Sequence, residues 1–262
     1  MKMLRLFLAA IVIIALAFFW EHHASGQIVD LQSAVNKKIE DQGVTGAVAL
    51  SWDRRTGNTD LTAGSVSGML RYKHHTPETV FILYKREYGQ KSQEEYLNNY
   101  FYHIRYRWLV TDFFNLELFG QSDHNKFRGY TQRNLYGAGP LLKWADEKNY
   151  KFYTGLAYMS EFEDATMMDE KGENKHHTER LSASVLYSQE PLPHLDVSLS
   201  LYYQPNLHDS KDRRTSINGS VGYKLTEDLS YSLTASVTAD SDPGEGVAKT
   251  DMKYKNVLQL SF

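Results

Sequence analysis

His103, the pairs His74-His75 and His176-His177, and the hydroxyl-rich run from Ser230 to Thr238 are the residue types in this chain that could serve nucleophilic or metal chemistry. A nucleophile needs a base and an orienting group within hydrogen-bond reach. An acyl-transfer site facing lipid would need a serine and a histidine pointing outward among apolar neighbours, and no segment offers that pair by its pattern. A G-x-S-x-G turn is absent. Adjacent residues of a strand point to opposite faces, so neither histidine pair converges on one ion unless it lies in a loop, and both pairs are expected near turns. The acidic stretch from Glu161 to Glu173 would collect calcium, or bridge divalent ions to lipopolysaccharide, if it forms an exposed loop; a solvated loop is the plainer reading. Cysteine is absent, which removes thiolate catalysis and cysteine metal sites. The expectation is no catalytic, cofactor or metal residue, and a protein that is not an enzyme.

Charged residues placed by alternation are more informative. Arg105, Arg107, Arg133, Lys143 and Lys151 fall on one face of their segments against Glu117, and Lys224 joins them later in the chain. If that face lines a lumen, the interior is basic and favours anionic solutes. In the other reading these cations pair with inward acids and waters and plug a narrow barrel.

The elements that must position these residues follow from a period of two that runs from about Val44 to Phe262. Tyr100, Tyr102, Ile104, Tyr106, Trp108 and Val110 share one face, while Asn99, His103, Arg105 and Arg107 take the other. Val197, Leu199, Leu201 and Tyr203 alternate with Asp196, Ser198, Ser200 and Tyr202, and Leu229 to Val237 alternates with a face of serine and threonine. About twelve strands are expected, at 44–54, 59–73, 78–88, 96–110, 113–123, 131–145, 149–162, 177–189, 194–205, 213–226, 229–239 and 250–262. An even number returns both chain termini to the same side. Connections at 111–112, 146–148, 190–193 and 227–228 are tight, while those at 89–95, 124–130, 163–176 and 241–249 are long. That sorting, with Thr56 to Asn58 as an exception that is short on the outer side, is the layout of an outer-membrane barrel with tight turns in the periplasm. The 18 Tyr, 12 Phe and 4 Trp include Trp52, Tyr72, Tyr100, Trp108, Trp144, Tyr150, Tyr223 and Tyr254 near strand ends, where amphipathic rings suit the two bilayer interfaces.

Mean hydropathy is −0.50, too polar for a bundle of membrane helices but compatible with a barrel, in which only alternate residues meet lipid. Formal net charge is −3 without a long basic block, so nucleic acid is not an expected partner. Lys2 and Arg5 precede an apolar run from Leu6 to Trp20, followed by Ala24-Ser25-Gly26. That order is an export signal cleaved near Gly26, and the run is shorter than the roughly 20 residues of a membrane helix. Residues 27–43, with Leu31, Val35 and Ile39 at helical spacing, form a short periplasmic segment, a plug or a loose terminus. Residues 44–262 form the barrel. Tyr254, Leu258, Leu260 and Phe262 alternate up to a terminal aromatic, the form of strand that barrel assembly machinery accepts by β-augmentation.

These residues also resemble a family. Asn98 to Trp108 with Thr111-Asp112, then Phe119-Gly120-Gln121, Phe127-Arg128-Gly129, Arg133-Asn134 and Leu135-Tyr136-Gly137-Ala138-Gly139, are similar to the core of the YdiY-like salt-induced outer membrane proteins (domain of unknown function 481). Thr56 to Asp60, Pro243 to Val247 and Lys249 to Asp251 resemble the same family's early turn and last loop. Pro140 departs from the pattern and is expected to mark a bulge. The resemblance implies an outer-membrane barrel and supplies no substrate, cofactor or catalytic residue. Three functions stay open: a passive pore with a basic lumen, a closed barrel serving envelope integrity, and a lipid-modifying enzyme. Outer-membrane lipid, lipopolysaccharide and the assembly machinery are the expected partners.

Overall fold

Alternating apolar and polar residues with many β-branched and aromatic side chains suit a sheet wetted on one face and oiled on the other. The computed structural model describes residues 43–262 apart from 57–60, 74–77, 92–93, 148, 168–172 and 244–246. The export signal, the segment before Gly43 and the His74-His75 pair lie outside the described residues. Twelve antiparallel strands follow one another around a closed barrel: β1 Gly43–Thr56, β2 Leu61–Lys73, β3 Glu78–Lys91, β4 Glu94–Leu109, β5 Phe114–Asn125, β6 Tyr130–Glu147, β7 Tyr150–Ala165, β8 Lys175–Leu192, β9 Leu195–Pro205, β10 Arg213–Lys224, β11 Leu229–Asp240 and β12 Thr250–Ser261. Each pairs with its sequence neighbours, and β12 pairs with β1.

The seam is held to the last residue. Gly46 N–H donates to Phe262 O at 2.9 Å, and Phe262 N–H donates to Gly46 O at 2.9 Å. A Cβ at Gly46 would lie 2.6 Å from the Phe262 ring, so glycine lets the terminal aromatic lie directly across β1. Tyr254, Leu258, Leu260 and Phe262 all point outward and are exposed.

Outward positions carry Leu50, Ile82, Ile104, Leu118, Leu156, Val221 and Leu233 in the middle of their strands, all exposed. A contiguous apolar belt of this kind is satisfied by lipid and not by water. Tyr72, Trp108, Trp144 and Tyr223 border it at the end that carries the chain's two barrel termini, and Trp52, Tyr158 and Tyr254 border it towards the other end. Phe113 and Trp144 meet edge to face at 5.0 Å.

Turn lengths are sorted less strictly than the sequence suggested. The connections at 110–113, 193–194 and 225–228 are short and lie at the end with the termini, and those at 166–174, 206–212 and 241–249 are long and lie at the other. The expected long loop at 89–95 is not formed, because β3 and β4 continue through Gln90↔Glu95 and Lys91↔Glu94. A second expected loop, 124–130, contains a 3-10 turn at Lys126–Arg128, closed by Gly129 at φ 80°.

Pro140 interrupts a ladder without a register shift. It stands opposite Leu116 of β5, but towards β7 the pairing passes from Ala138↔Tyr158 to Leu141↔Gly155 with the residues between left out. The bulge itself comes later, between Lys143 and Ala145, where Trp144 is the extra residue. Gly139 sits at the interruption: a Cβ there would be 2.0 Å from Leu156 O and 2.5 Å from Ala157 Cα, both backbone atoms that cannot rotate away. Gly137 makes room for the Phe119 ring, which a Cβ would meet at 2.2 Å. Gly139→Val is expected to lower barrel stability by at least about 1–3 kcal/mol through overpacking. On heat-modifiable gel migration the folded band would then be lost at lower temperature than in the parent, and an unchanged transition would contradict this close approach.

Candidate functional site

The inward faces of β3 to β8 carry bulky residues and ion pairs. Leu141, Tyr153, Leu186 and Tyr202 form a buried apolar cluster reaching onto β9, and Phe81, Phe101 and Met159 are buried nearby. On β4 and β5, Arg105 Nη1 lies 3.0 Å from Glu117 Oε2, and Arg107 Nε donates to Glu117 Oε1 at 2.8 Å. The two guanidiniums also lie over the Phe119 and Phe81 rings at 5.4 and 5.3 Å. Arg133 Nη2 is 3.2 Å from Asp123 Oδ2, and the Tyr130 hydroxyl donates to the same carboxylate. Lys143 and Lys151 reach Asp146 at 3.7 and 3.5 Å, and Lys224 reaches Glu190 at 2.8 Å and Asp196 at 3.5 Å.

An interior with Glu117 as its acid is therefore not what forms: each of these cations has a carboxylate beside it. Sequence reasoning missed Asp146 and Glu190 because it ended their strands too early, and it left Asp123 and Asp196, both within expected strands, unpaired with any cation. Asp123 and Asp146 lie at strand ends, the bulge at Trp144 sets Asp146 opposite Lys151, and β8 continues past Glu190 to Leu192.

A larger cluster lies towards the long-loop end. Arg180, 2% exposed, holds Asp212 with two hydrogen bonds at 2.9 and 2.8 Å and lies 3.7 Å from Glu161. Arg214 bonds Glu161 at 2.5 Å and Asp240 at 2.6 Å, and it approaches Glu163 at 3.6 Å. Glu161 and Glu163 thus belong to β7 and to this network, not to a solvated calcium-collecting loop. Asp212, in the connection between β9 and β10, also accepts from Asn206 Nδ2 at 3.0 Å, so that connection is drawn over the lumen.

A third cluster crosses the inner faces of β1 and β2. Glu87 on β3 bonds Lys85 and accepts from Lys253 Nζ at 2.7 Å and Lys255 Nζ at 3.4 Å on β12. This is possible because the intervening inward positions are small: Glu87 faces Ser65, Ser65 faces Ser51, and Ser51 faces Val257 in register.

The remaining wall, from β9 through β12 to β2, carries many small residues, among them Ser198, Ser220, Ser232, Thr234, Ala47 and Ala63, beside the longer Met69 and Arg71 of β2 and Lys253 and Lys255 of β12. A cavity of about 90 Å³ lies against it, bordered by Asp196, Lys224 and Gln259. A second cavity, of about 50 Å³, lies at mid-height between His103, Glu117, Met159 and Arg214.

His103 is buried on β4 between the rings of Phe101 and Phe119, both at 6.2 Å, and its one side-chain bond to a charged group comes from Arg105 Nε at 3.4 Å. The hydroxyls of 230–238 lie on β11, across the barrel from it. His176 and His177 are strand residues of β8, paired with Glu163 and Phe162, and not loop residues. An outward serine–histidine pair, not foreseen from the sequence, does exist: Ser160 Oγ is 2.8 Å from His177 Nε2, with Phe162 stacked on the imidazole at 4.5 Å. Both β6 and β8 pair with β7 across Ser160, so the local amides are engaged in ladders and no oxyanion pocket is formed there. Among the described residues no group of three or more metal-ligating side chains converges.

Two solved structures share this architecture. The NanC porin superposes with a TM-score of 0.58 at 11% identity, covering 81% of this chain and 98% of its own. An outer membrane channel from Pseudomonas putida F1 gives 0.56 at 11% identity, covering 90% and 100%. At such identity the likeness concerns the fold. No curated protein matches the chain in sequence. Residues 48–262, nearly the whole barrel, match the family described as protein of unknown function DUF481, and the chain belongs to that family.

Proposed function

We propose that this outer-membrane barrel is a passive pore for small hydrophilic solutes, with its passage against the small-residue wall from β9 through β12 to β2. The observation that carries this reading is the asymmetry of the interior. Aromatic, aliphatic and arginine side chains crowd one half, while in the other serine, threonine and alanine stand between the fewer long side chains Met69, Arg71, Lys253 and Lys255. Barrels of this strand number fall between side-chain-filled and open ones, so the distribution of side-chain volume decides where water runs. The passage narrows where Lys253 and Lys255 reach across to Glu87.

Selectivity in this reading comes from those lysines, which stand on the wall of the passage beside Glu87, and not from Arg105 and Arg107, which lie with Glu117 in the packed half. The belt and girdles suit outer-membrane lipid and lipopolysaccharide as surroundings. β12, with Tyr254, Leu258, Leu260 and Phe262, is the edge offered to the assembly machinery before β1 covers it. The Ser160–His177 pair is a hydrogen-bonded tie on the outer wall.

Planar-bilayer recording of the refolded barrel tests the pore. Discrete conductance steps are expected, and Ser232→Trp should cut the step size by about half or more. A folded but silent barrel would reject the pore in favour of a closed structural barrel. In a salt gradient, Lys253→Gln with Lys255→Gln should move the reversal potential towards cation preference, whereas an unmoved potential would remove the lysines from the passage. Incubation with phosphatidylcholine vesicles should release no fatty acid. Release that Ser160→Ala abolishes would instead make the outer-wall pair a hydrolytic site.

A further inference from the structure

The cavity beside Asp196 and Lys224 has properties that a merely water-filled stretch of lumen does not require. Its walls present the hydroxyls of Ser198, Ser220, Ser232 and Thr234 and the amide of Gln259. Ser198 is only 3% exposed, and its Oγ makes no hydrogen bond to the protein, although it borders the cavity. A buried hydroxyl left without a protein partner costs free energy unless something in the cavity bonds to it. Thr234 Oγ1 donates to Ser220 Oγ at 3.3 Å, a long bond that leaves both oxygens able to accept from a guest.

Gly222, also on the cavity wall, adds room. A Cβ there would press on Ser232 Cβ at 3.3 Å and approach Asp196 Cβ at 4.0 Å, so any larger residue would narrow the space between β9 and β11. Among the described residues lining the cavity Lys224 is the one cation, and it is flanked by two carboxylates, Glu190 and Asp196, which makes this rim unfavourable for an anion. Val257 supplies an apolar patch beside the hydroxyls. Many neutral donors and acceptors, an apolar patch and a rim lysine flanked by two carboxylates together match a neutral polyhydroxylated molecule.

We infer that this pocket, near the short-turn mouth of the barrel, is a binding subsite for an uncharged saccharide. The inference rests on the reading that solutes enter the lumen, and it adds their chemical class and the place where they pause. Guest hydroxyls exchange bonds with Ser198, Ser220 and Thr234, and the Lys224–Asp196 pair holds the rim in position.

Saturation-transfer NMR on the detergent-refolded full chain tests this, with maltose as the probe and polyethylene glycol of matched mass as the control. Maltose should receive saturation and the glycol should not. Ser198→Ala and Ser220→Ala, which remove oxygen without adding bulk, should each weaken maltose binding about fivefold, the effect of one hydrogen bond, while folded-band migration stays unchanged. A folded barrel that transfers nothing to maltose, or that binds it equally well after both substitutions, overturns the subsite. Bilayer currents on the same preparation separate this from the pore. Conduction without maltose binding rejects the subsite alone, and maltose binding in a silent barrel keeps the subsite while rejecting passage across the membrane.

Discussion

Closure of β1 against β12 is the contact on which the rest of this molecule depends. In hydrocarbon, every backbone N–H and C=O must find its partner inside the protein, and a sheet achieves this only by leaving no edge. The reciprocal bonds between Gly46 and Phe262 complete that circuit at its last residue. Closure at twelve strands then fixes the circumference, and with it an interior that side chains alone must either fill or leave wet. The apolar belt outside and the polar lining inside follow from the same circuit, because a closed pleated sheet sends alternate residues to opposite sides.

The interior is filled unevenly, and the unevenness has local causes. Where β5, β6 and β7 meet, Gly137 admits the Phe119 ring and Gly139 lets the backbone of β7 approach, so that half can be packed tightly with Leu141, Tyr153 and Met159. Ion pairs continue the packing where apolar residues stop. Glu117 accepts from two arginines, and Glu161 sits between Arg180 and Arg214, so each buried charge is compensated by direct contact. That compensation is required because an isolated charge taken from water would cost several kcal/mol. Long charged side chains therefore act here as struts that span from strand to strand, while short hydroxyl residues opposite them leave space.

The fold was legible because its signal is periodic. All twelve strands stand where alternation places them, and the outward faces of β4, β9 and β11 carry the apolar residues read from the sequence. Strand ends were less legible, since alternation does not stop at a charge. Glu163 and Glu190 look like loop residues in sequence yet lie within strands, because an inward carboxylate in a polar lumen is no obstacle to pairing. Asp146 and Glu190 were missed for this reason, and part of the expectation of a basic lumen with them. Arg180 and Arg214 escaped for a related reason: inward residues are odd-numbered on β4 to β7 but even-numbered on β8 to β11, a switch made in the connections. The Ser160–His177 contact depends on the register between β7 and β8, which a period of two leaves unspecified.

Hydroxyl faces in β-sheets are ambiguous in sequence, because serine and threonine line wet surfaces and also fill polar cores by bonding one another. Both outcomes occur along this wall. Ser216 and Ser200 are fully buried and flank Asn218, whose amide donates to both of them, so their hydroxyls are used within the protein. At the next inward level, where Ser220 of β10 pairs with Ser198 of β9, both serines reach the cavity, and Ser198 is left without a protein bond. Composition is the same at the two levels; what differs is the neighbour. An asparagine at position 218 closes the first level, while Gly222, with no side chain, helps to keep the second open. A single residue alternating between amide and hydrogen along the inward face of β10 thus turns one stretch of the same hydroxyl wall into packing and the next into space for a guest.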